Sequence, residues 1–185
     1  MSPRSSTVVF DASKIEEDIE KAVQAVSANI SYPEMPEALF EIFVYLPELF
    51  QDGDEERYIE ALSLAMQTSY ENGLYQFAYM QYHMLFMTAI YFVLLKLYVL
   101  HHDEMKQALY YLLKDRYNEF FGKENTKDGQ LYFGSFAAIG ESDVFKLLHI
   151  VGMDTNLEGE LKKLVKERND YAHANGRLLL TSEEF

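Results

Sequence analysis

Twenty-four consecutive residues, Asn72 to Leu95, carry no formal charge in a chain whose net charge is −14. A run of that length either crosses a bilayer or is buried inside protein. Asn72, Gly73, Gln76, Gln81 and His83 interrupt it, and its continuous apolar part, Met84 to Leu95, is too short to span a membrane. The expectation is a long helix from about Leu74 to Leu100 with apolar residues on nearly every face, the pattern of a central helix enclosed by others. The chain has 185 residues, 49% of them hydrophobic and 15% aromatic. That length suits one domain with a sizeable core, and the composition excludes general disorder.

Helical spacing dominates the remainder. Residues 1–10 read as a flexible tail, and residues 11–185 as a single helical domain. Ser13 with Glu16 forms a capping box ahead of Ile15, Ile19, Ala22, Val23, Val26 and Ile30 on one face. After Pro33 and Pro36, a short second helix runs until Pro47 interrupts it. Asp54 can cap a third, which Asn72-Gly73 stops. Asp103 can cap a fifth, extending to Phe121. Gly122 to Gly134 read as a surface loop and Ser142 to Val151 as a short helix. The last helix begins at Thr155, with Glu158 completing a capping box, and ends near Asn175-Gly176. Strand signals are nearly absent, so the expected fold class is all-α, a helical bundle.

The chain contains no cysteine, which removes disulfides, thiolate metal sites and cysteine nucleophiles from consideration. The apolar run Val8-Val9-Phe10 is far too short for a signal-peptide core, and a cytoplasmic location is expected. Residues 1–71 hold 4 basic and 15 acidic side chains, against 12 and 15 in residues 72–185. So acidic a chain will not coat nucleic acid nonspecifically, because that affinity comes from neutralised phosphates. A role in binding nucleic acid has to be local.

The last helix provides the local exception. With Leu157 at zero on a helical wheel, Leu161, Leu164, Val165, Tyr171 and Ala172 gather within about 80° and read as its buried face. Arg168 falls at about 20°, inside that stripe, where a charge is costly unless paired or used. His173 lies about 140° from Arg168 on an ideal helix. The length of arginine, a local bend, or a second copy of the helix across a dimer would be needed to bring the two into one cleft. Asn169 and Asp170 stand four and three residues before His173 and can neighbour its imidazole. The helix end favours an imidazolium there. Between Leu157 and Arg177, Lys162, Lys163, Lys166, Arg168 and Arg177 outnumber the acidic side chains by one. A phosphate would settle on such a stretch, and Lys162, Lys166 and Arg177 are the expected substrate contacts. The bland alternative remains open: Arg168 pairs with a buried carboxylate while His173 sits on the surface.

The segment Arg168-Asn169-Asp170-Tyr171-Ala172-His173, late in an all-helical chain, resembles the R-x4-6-H motif of HEPN domains. The resemblance implies a HEPN-like bundle that dimerises so that two motifs lie side by side. It also implies a metal-independent endoribonuclease, without cofactor, in a toxin or in antiviral or stress defence. His173 would take part in proton transfer and Arg168 would stabilise the phosphorane-like transition state. Attack by the ribose 2′-hydroxyl would leave 2′,3′-cyclic phosphate and 5′-hydroxyl ends. RNA is the implied substrate, with an antitoxin or regulatory protein as partner and no membrane involved. Toxins of the branch paired with a nucleotidyltransferase often carry a Tyr two positions after the His, where this chain has Asn175. The alternative is a catalytically silent HEPN-like module that binds a regulatory partner or a nucleotide.

Other groups carry less. His101-His102-Asp103-Glu104 has the composition of a metal site, but adjacent side chains on a helix point apart, so no metal site is expected. His83 and His149, each flanked by apolar or aromatic residues, read as satisfied core histidines. Tyr75, Tyr79 and Tyr82 form a stripe more suited to packing than to base stacking.

Overall fold

The computed structural model describes residues 53–173 and 176–185, together with Glu37, Glu41, Ile42, Val44 and Leu46. They lie within one compact unit, Glu34–Phe185. The expected tail over residues 1–10 and the first helix from Ser13 fall outside the described residues. Of the expected second helix, Ile42 and Leu46 are described and buried.

The chain is all-α across the described residues. Helix α1 (Gly53–Glu71) and helix α2 (Tyr75–Leu100) form a hairpin. Its turn is built on Gly73 at φ 69°. There Gly73 N–H donates to Tyr70 O at 2.9 Å and Leu74 N–H to Ser69 O at 2.8 Å. These two bonds close the carbonyl end of α1, and the left-handed residue between them favours glycine.

Helix α2 contributes to both core clusters of the unit, while Phe77, Met84 and Val93 along it stay exposed. Its Tyr75, Ala78, Leu85 and Ala89 pack with Ile59, Met66 and Tyr70 of α1 in one core cluster. Further along, Met87, Tyr91, Leu94 and Leu97 belong to a second cluster with the segments that follow. Helix α2 is long and apolar enough to cross a membrane, and half of its most apolar stretch is buried against the chain itself.

The expected fifth helix is shorter than its pattern. Helix α3 (His102–Leu113) buries Met105, Leu109 and Leu113, and then Lys114 adopts φ 51°. A 3-10 turn (Lys114–Arg116) and the short helix α4 (Tyr117–Phe120) replace the last turns. Asp103 lies in the first turn of α3 and is not its cap.

The expected surface loop contains a 3-10 turn at Lys123–Asn125 and an isolated antiparallel bridge between Lys127 and Gln130. It also contributes Leu131 to the core. Another 3-10 segment, Phe133–Ala138, leads through Gly140 into the four-residue helix α5 (Glu141–Val144). A 3-10 segment, Phe145–Val151, follows, so only the start of the expected helix over 142–151 is α-helical.

Helix α6 (Thr155–Ala172) is capped by Asp154, whose carboxylate accepts from the backbone N–H groups of Asn156 and Leu157 at 2.7 and 2.9 Å. Aspartate capping from one position earlier displaces Thr155 from the role its sequence suggested. The buried face of α6 also differs from the expected stripe. Val165 is buried, Leu161 and Tyr171 pack at the margins, and Leu157 and Leu164 stay 44% and 40% exposed. The helix is rotated toward Val165, and Gln76 of α2 fixes its end by donating to Tyr171 O at 2.7 Å. Beyond α6 the chain folds back, burying Leu179 and setting Phe185 edge-on to Tyr70 at 5.1 Å.

Leu94, fully buried in α2, and Leu64, 68% exposed in α1, give a matched test of this core. Leu94→Ala should lower the unfolding free energy by about 2–5 kcal/mol, and Leu64→Ala should change it by less than about 0.5 kcal/mol. Urea denaturation followed by circular dichroism measures both.

Candidate functional site

Arg168 projects from α6 toward the junction of α5 and α2. Its side chain is 21% exposed, and its Nη2 donates to Oε2 of Glu141. A guanidinium withdrawn from water needs such a partner, since the alternative is an uncompensated charge in an apolar seam. The same Oε2 accepts from Nε2 of His83 at 3.2 Å. His83 is 6% exposed, so its ring depends on that bond for satisfaction.

The local chain explains how Glu141 comes to stand between them. Gly140 O accepts from the N–H groups of Asp143 and Val144, at 2.7 and 3.1 Å, which starts α5 immediately after the glycine. Val144 and Phe145, both fully buried, pin that short helix to the core. Glu141 is left at the edge, 27% exposed, between α2 and α6. The hydrogen bond from His83, followed by that from Arg168, outweighs the effect of burial and holds the Glu141 carboxyl below the usual carboxylate range.

Two hollows meet at this ion pair. One, of about 290 Å³, is lined by Tyr58, Met84, Tyr91 and Thr88 as well as by His83, Glu141 and Arg168. The other, of about 410 Å³, lies between Ala137–Asp143 and α6, where Val165, Arg168 and Asn169 form its wall. Burial, and then the charge of Glu141, push the Tyr91 hydroxyl up to about 12, so it enters the first hollow as a neutral donor. Arg168 Nε is buried and has no hydrogen-bond partner among the described residues. A third hollow, about 430 Å³ between the start of α1 and residues 127–132, is lined by Asp54, Arg57, Lys127 and Asp128 and has no histidine at its wall.

The other motif residues have different surroundings. His173 is the exposed C-cap of α6, its backbone N–H donating to Asn169 O at 3.1 Å. It therefore stands at the carbonyl end of the helix. Asp170, expected beside the His173 imidazole, accepts instead from Lys166 at 3.1 Å and from Arg177 at 3.2 Å. Arg177 also lies 4.7 Å over the Tyr171 ring. Lys162 donates to Glu158, which is bonded to His149 at 2.8 Å. The expected phosphate-binding cations Lys162, Lys166 and Arg177 are thus each engaged by a carboxylate of α6. Ion pairs whose cations reach solvent are weak, and a phosphodiester can compete for those cations.

Within one chain, then, Arg168 is bonded inward at Glu141 while His173 is exposed at the helix end. That arrangement matches the alternative left open by the sequence for the isolated chain. Glu141 and His83 are the members of the cluster that the motif does not contain. His83 had read as a satisfied core histidine, and it is buried and bonded, but by a carboxylate that also holds the motif arginine. His149, read the same way, is exposed. No group of three metal-ligating side chains is found among the described residues, and His102 instead contacts the Tyr98 ring at 4.8 Å.

Because folding lowers the Glu141 pKa, its ion pair contributes stability that is fully present above the unfolded carboxylate range and is lost as pH falls through the lowered native value. Thermal melts from neutral pH down into that acid range should show a steeper decline for the native chain than for Glu141→Gln. At neutral pH Glu141→Ala should be destabilised by about 1–3 kcal/mol, because His83 and Arg168 lose their shared acceptor.

Comparison of the chain with family models, with curated proteins and with solved structures finds no match.

Proposed function

We propose that this chain is a HEPN-like domain that cleaves RNA without a metal, with Arg168 contacting the phosphate and His173 transferring a proton. The observation that carries this reading is the placement of the R-x4-H segment. It ends the last long helix of an all-α chain, with Arg168 at a walled hollow and His173 exposed at the helix's carbonyl end. An arginine has five N–H donors and Glu141 takes one of them, so the guanidinium retains donors for a phosphoryl oxygen. The ribose 2′-hydroxyl is the nucleophile, and the products carry 2′,3′-cyclic phosphate and 5′-hydroxyl ends.

The reading includes a homodimer. Leu157 and Leu164 leave an apolar strip exposed along α6, and a second copy of that helix would cover it and bring one Arg168 toward another His173. Lys162, Lys166 and Arg177 then serve as outer phosphate contacts. A toxin or antiviral or stress-defence setting in the cytoplasm, with an antitoxin or regulatory protein as partner, suits such an activity.

A second reading draws on the Arg168–Glu141 bond. A guanidinium already neutralised is what a catalytically silent HEPN-like module, binding a regulatory partner or a nucleotide, would present.

Incubating the native chain, Arg168→Ala and His173→Ala with a mixed RNA pool in excess chelator, followed by sequencing of the ends, separates the two readings. Cleavage by the native chain should fall about 10²- to 10⁴-fold in His173→Ala and about 10²- to 10³-fold in Arg168→Ala. Light scattering of the same native preparation should give twice the 21.5 kDa chain mass. Cleavage abolished by chelator, or equal in all three proteins, contradicts the mechanism, and a native chain that cleaves nothing favours the silent module.

A further inference from the structure

We propose that Glu141 is the base of the reaction, taking the proton from the ribose 2′-hydroxyl of a single-stranded RNA nucleotide seated in the hollow beside Arg168. The inference rests on the ribonuclease reading and adds to it a residue outside the motif. Transesterification of a phosphodiester moves two protons, one from the attacking hydroxyl and one to the leaving oxygen. A single histidine supplies one of these transfers at a time, so a second group is needed for the other.

The geometry assigns the two roles. A base must be ionised and within reach of the attacking hydroxyl while the phosphate is held. Glu141 shares a hydrogen bond with Arg168, so any phosphoryl oxygen on the remaining donors of that guanidinium lies close to the carboxylate. Both His83 and Arg168 bond to Oε2, and among the described residues none bonds to Oε1, which is therefore open to a substrate hydroxyl. His83, almost fully buried, fixes the carboxylate and is itself a positioning residue. His173, exposed at the end of α6, is the group left to donate once Glu141 takes the role of base.

The hollow constrains the ligand. Its volume of about 290 Å³ admits one nucleotide and not a duplex. Tyr58, 38% exposed at its wall, offers a ring on which an unpaired base can stack. Tyr91, held neutral, can donate to a phosphoryl or ribose oxygen.

In the step itself the 2′-hydroxyl proton passes to Glu141 as the 2′-oxygen forms its bond to phosphorus. The bond from phosphorus to the 5′-oxygen breaks, its electron pair leaves with that oxygen, and the protonated His173 of the second copy donates a proton to it. The products are the cyclic phosphate and the 5′-hydroxyl strand, with Glu141 protonated and His173 neutral until exchange with water resets both. No redox change occurs and no co-reactant is consumed.

A substrate whose leaving 5′-oxygen is replaced by sulfur distinguishes the base from the acid, because a thiolate departs without a proton. The experiment compares an oligoribonucleotide carrying a 5′-bridging phosphorothiolate at a mapped cleavage site with its all-oxygen counterpart. Native protein, Glu141→Gln, Glu141→Asp and His173→Ala are tested, with circular dichroism confirming the fold of each. Glu141→Gln should lose about 10²- to 10⁴-fold on both substrates. His173→Ala should lose a similar factor on the oxygen substrate and regain most of it on the sulfur one. Glu141→Asp, which keeps the carboxylate, should retain more activity than Glu141→Gln, and it carries the test if the glutamine variant fails to fold. Native-level cleavage by Glu141→Gln, or its recovery on the sulfur substrate, would overturn the assignment while leaving the ribonuclease reading intact. Failure of the native chain to cleave either substrate would overturn both.

Discussion

An arginine drawn into an apolar seam has to bring a carboxylate with it, and in this chain that requirement ties three separate elements together. Arg168 enters from α6, Glu141 answers from α5, and His83 of α2 secures the carboxylate on its far side. Removal of Glu141 leaves both Arg168 and His83 without the acceptor they share. The cluster can exist only because α2 is apolar on nearly every side, so that both core clusters form around it and α5 and α6 are held against its middle. Two hollows meet at the Arg168–Glu141 pair.

Those facts give the site its chemical character. Low exposure strengthens each interaction with Glu141, and the two hydrogen bonds keep it ionised. A carboxylate, a guanidinium with spare donors and a neutral tyrosine hydroxyl share one hollow, while an imidazole waits outside at the helix end. Lys162 and Lys166 on α6, and Arg177 beyond it, are paired with carboxylates of that helix and provide little net attraction. In a chain of net charge −14, recognition of RNA on this reading depends on a few well-placed donors and not on a long-range field.

Much of the fold was legible because it is locally encoded. The uncharged run marked α2, Asn72-Gly73 marked the end of α1, and the polar start at residues 154–158 marked the beginning of α6. The break after Leu113 was not legible, because Lys114 takes a left-handed conformation that its residue type does not advertise. The buried face of α6 departs from its apolar stripe for a related reason: its rotation is set by Val165, by the Arg168 ion pair and by Gln76, and only the first belongs to the hydrophobic pattern. At the site, the position of Arg168 announced that a partner was needed. Its identity was hidden, because Glu141 is 27 residues away from Arg168 and 58 from His83, and contacts at such separations leave no periodic trace.

The claim on which the functional account rests is that Arg168 receives an RNA phosphate. Fluorescence anisotropy with a labelled single-stranded oligonucleotide carrying 2′-deoxy substitutions, which binds without being cleaved, tests this apart from catalysis. Native protein should bind it, and Arg168→Ala should bind at least about tenfold more weakly, the loss expected for a charge-assisted hydrogen bond. Equal binding by the two proteins, or no binding by the native chain, would contradict the account.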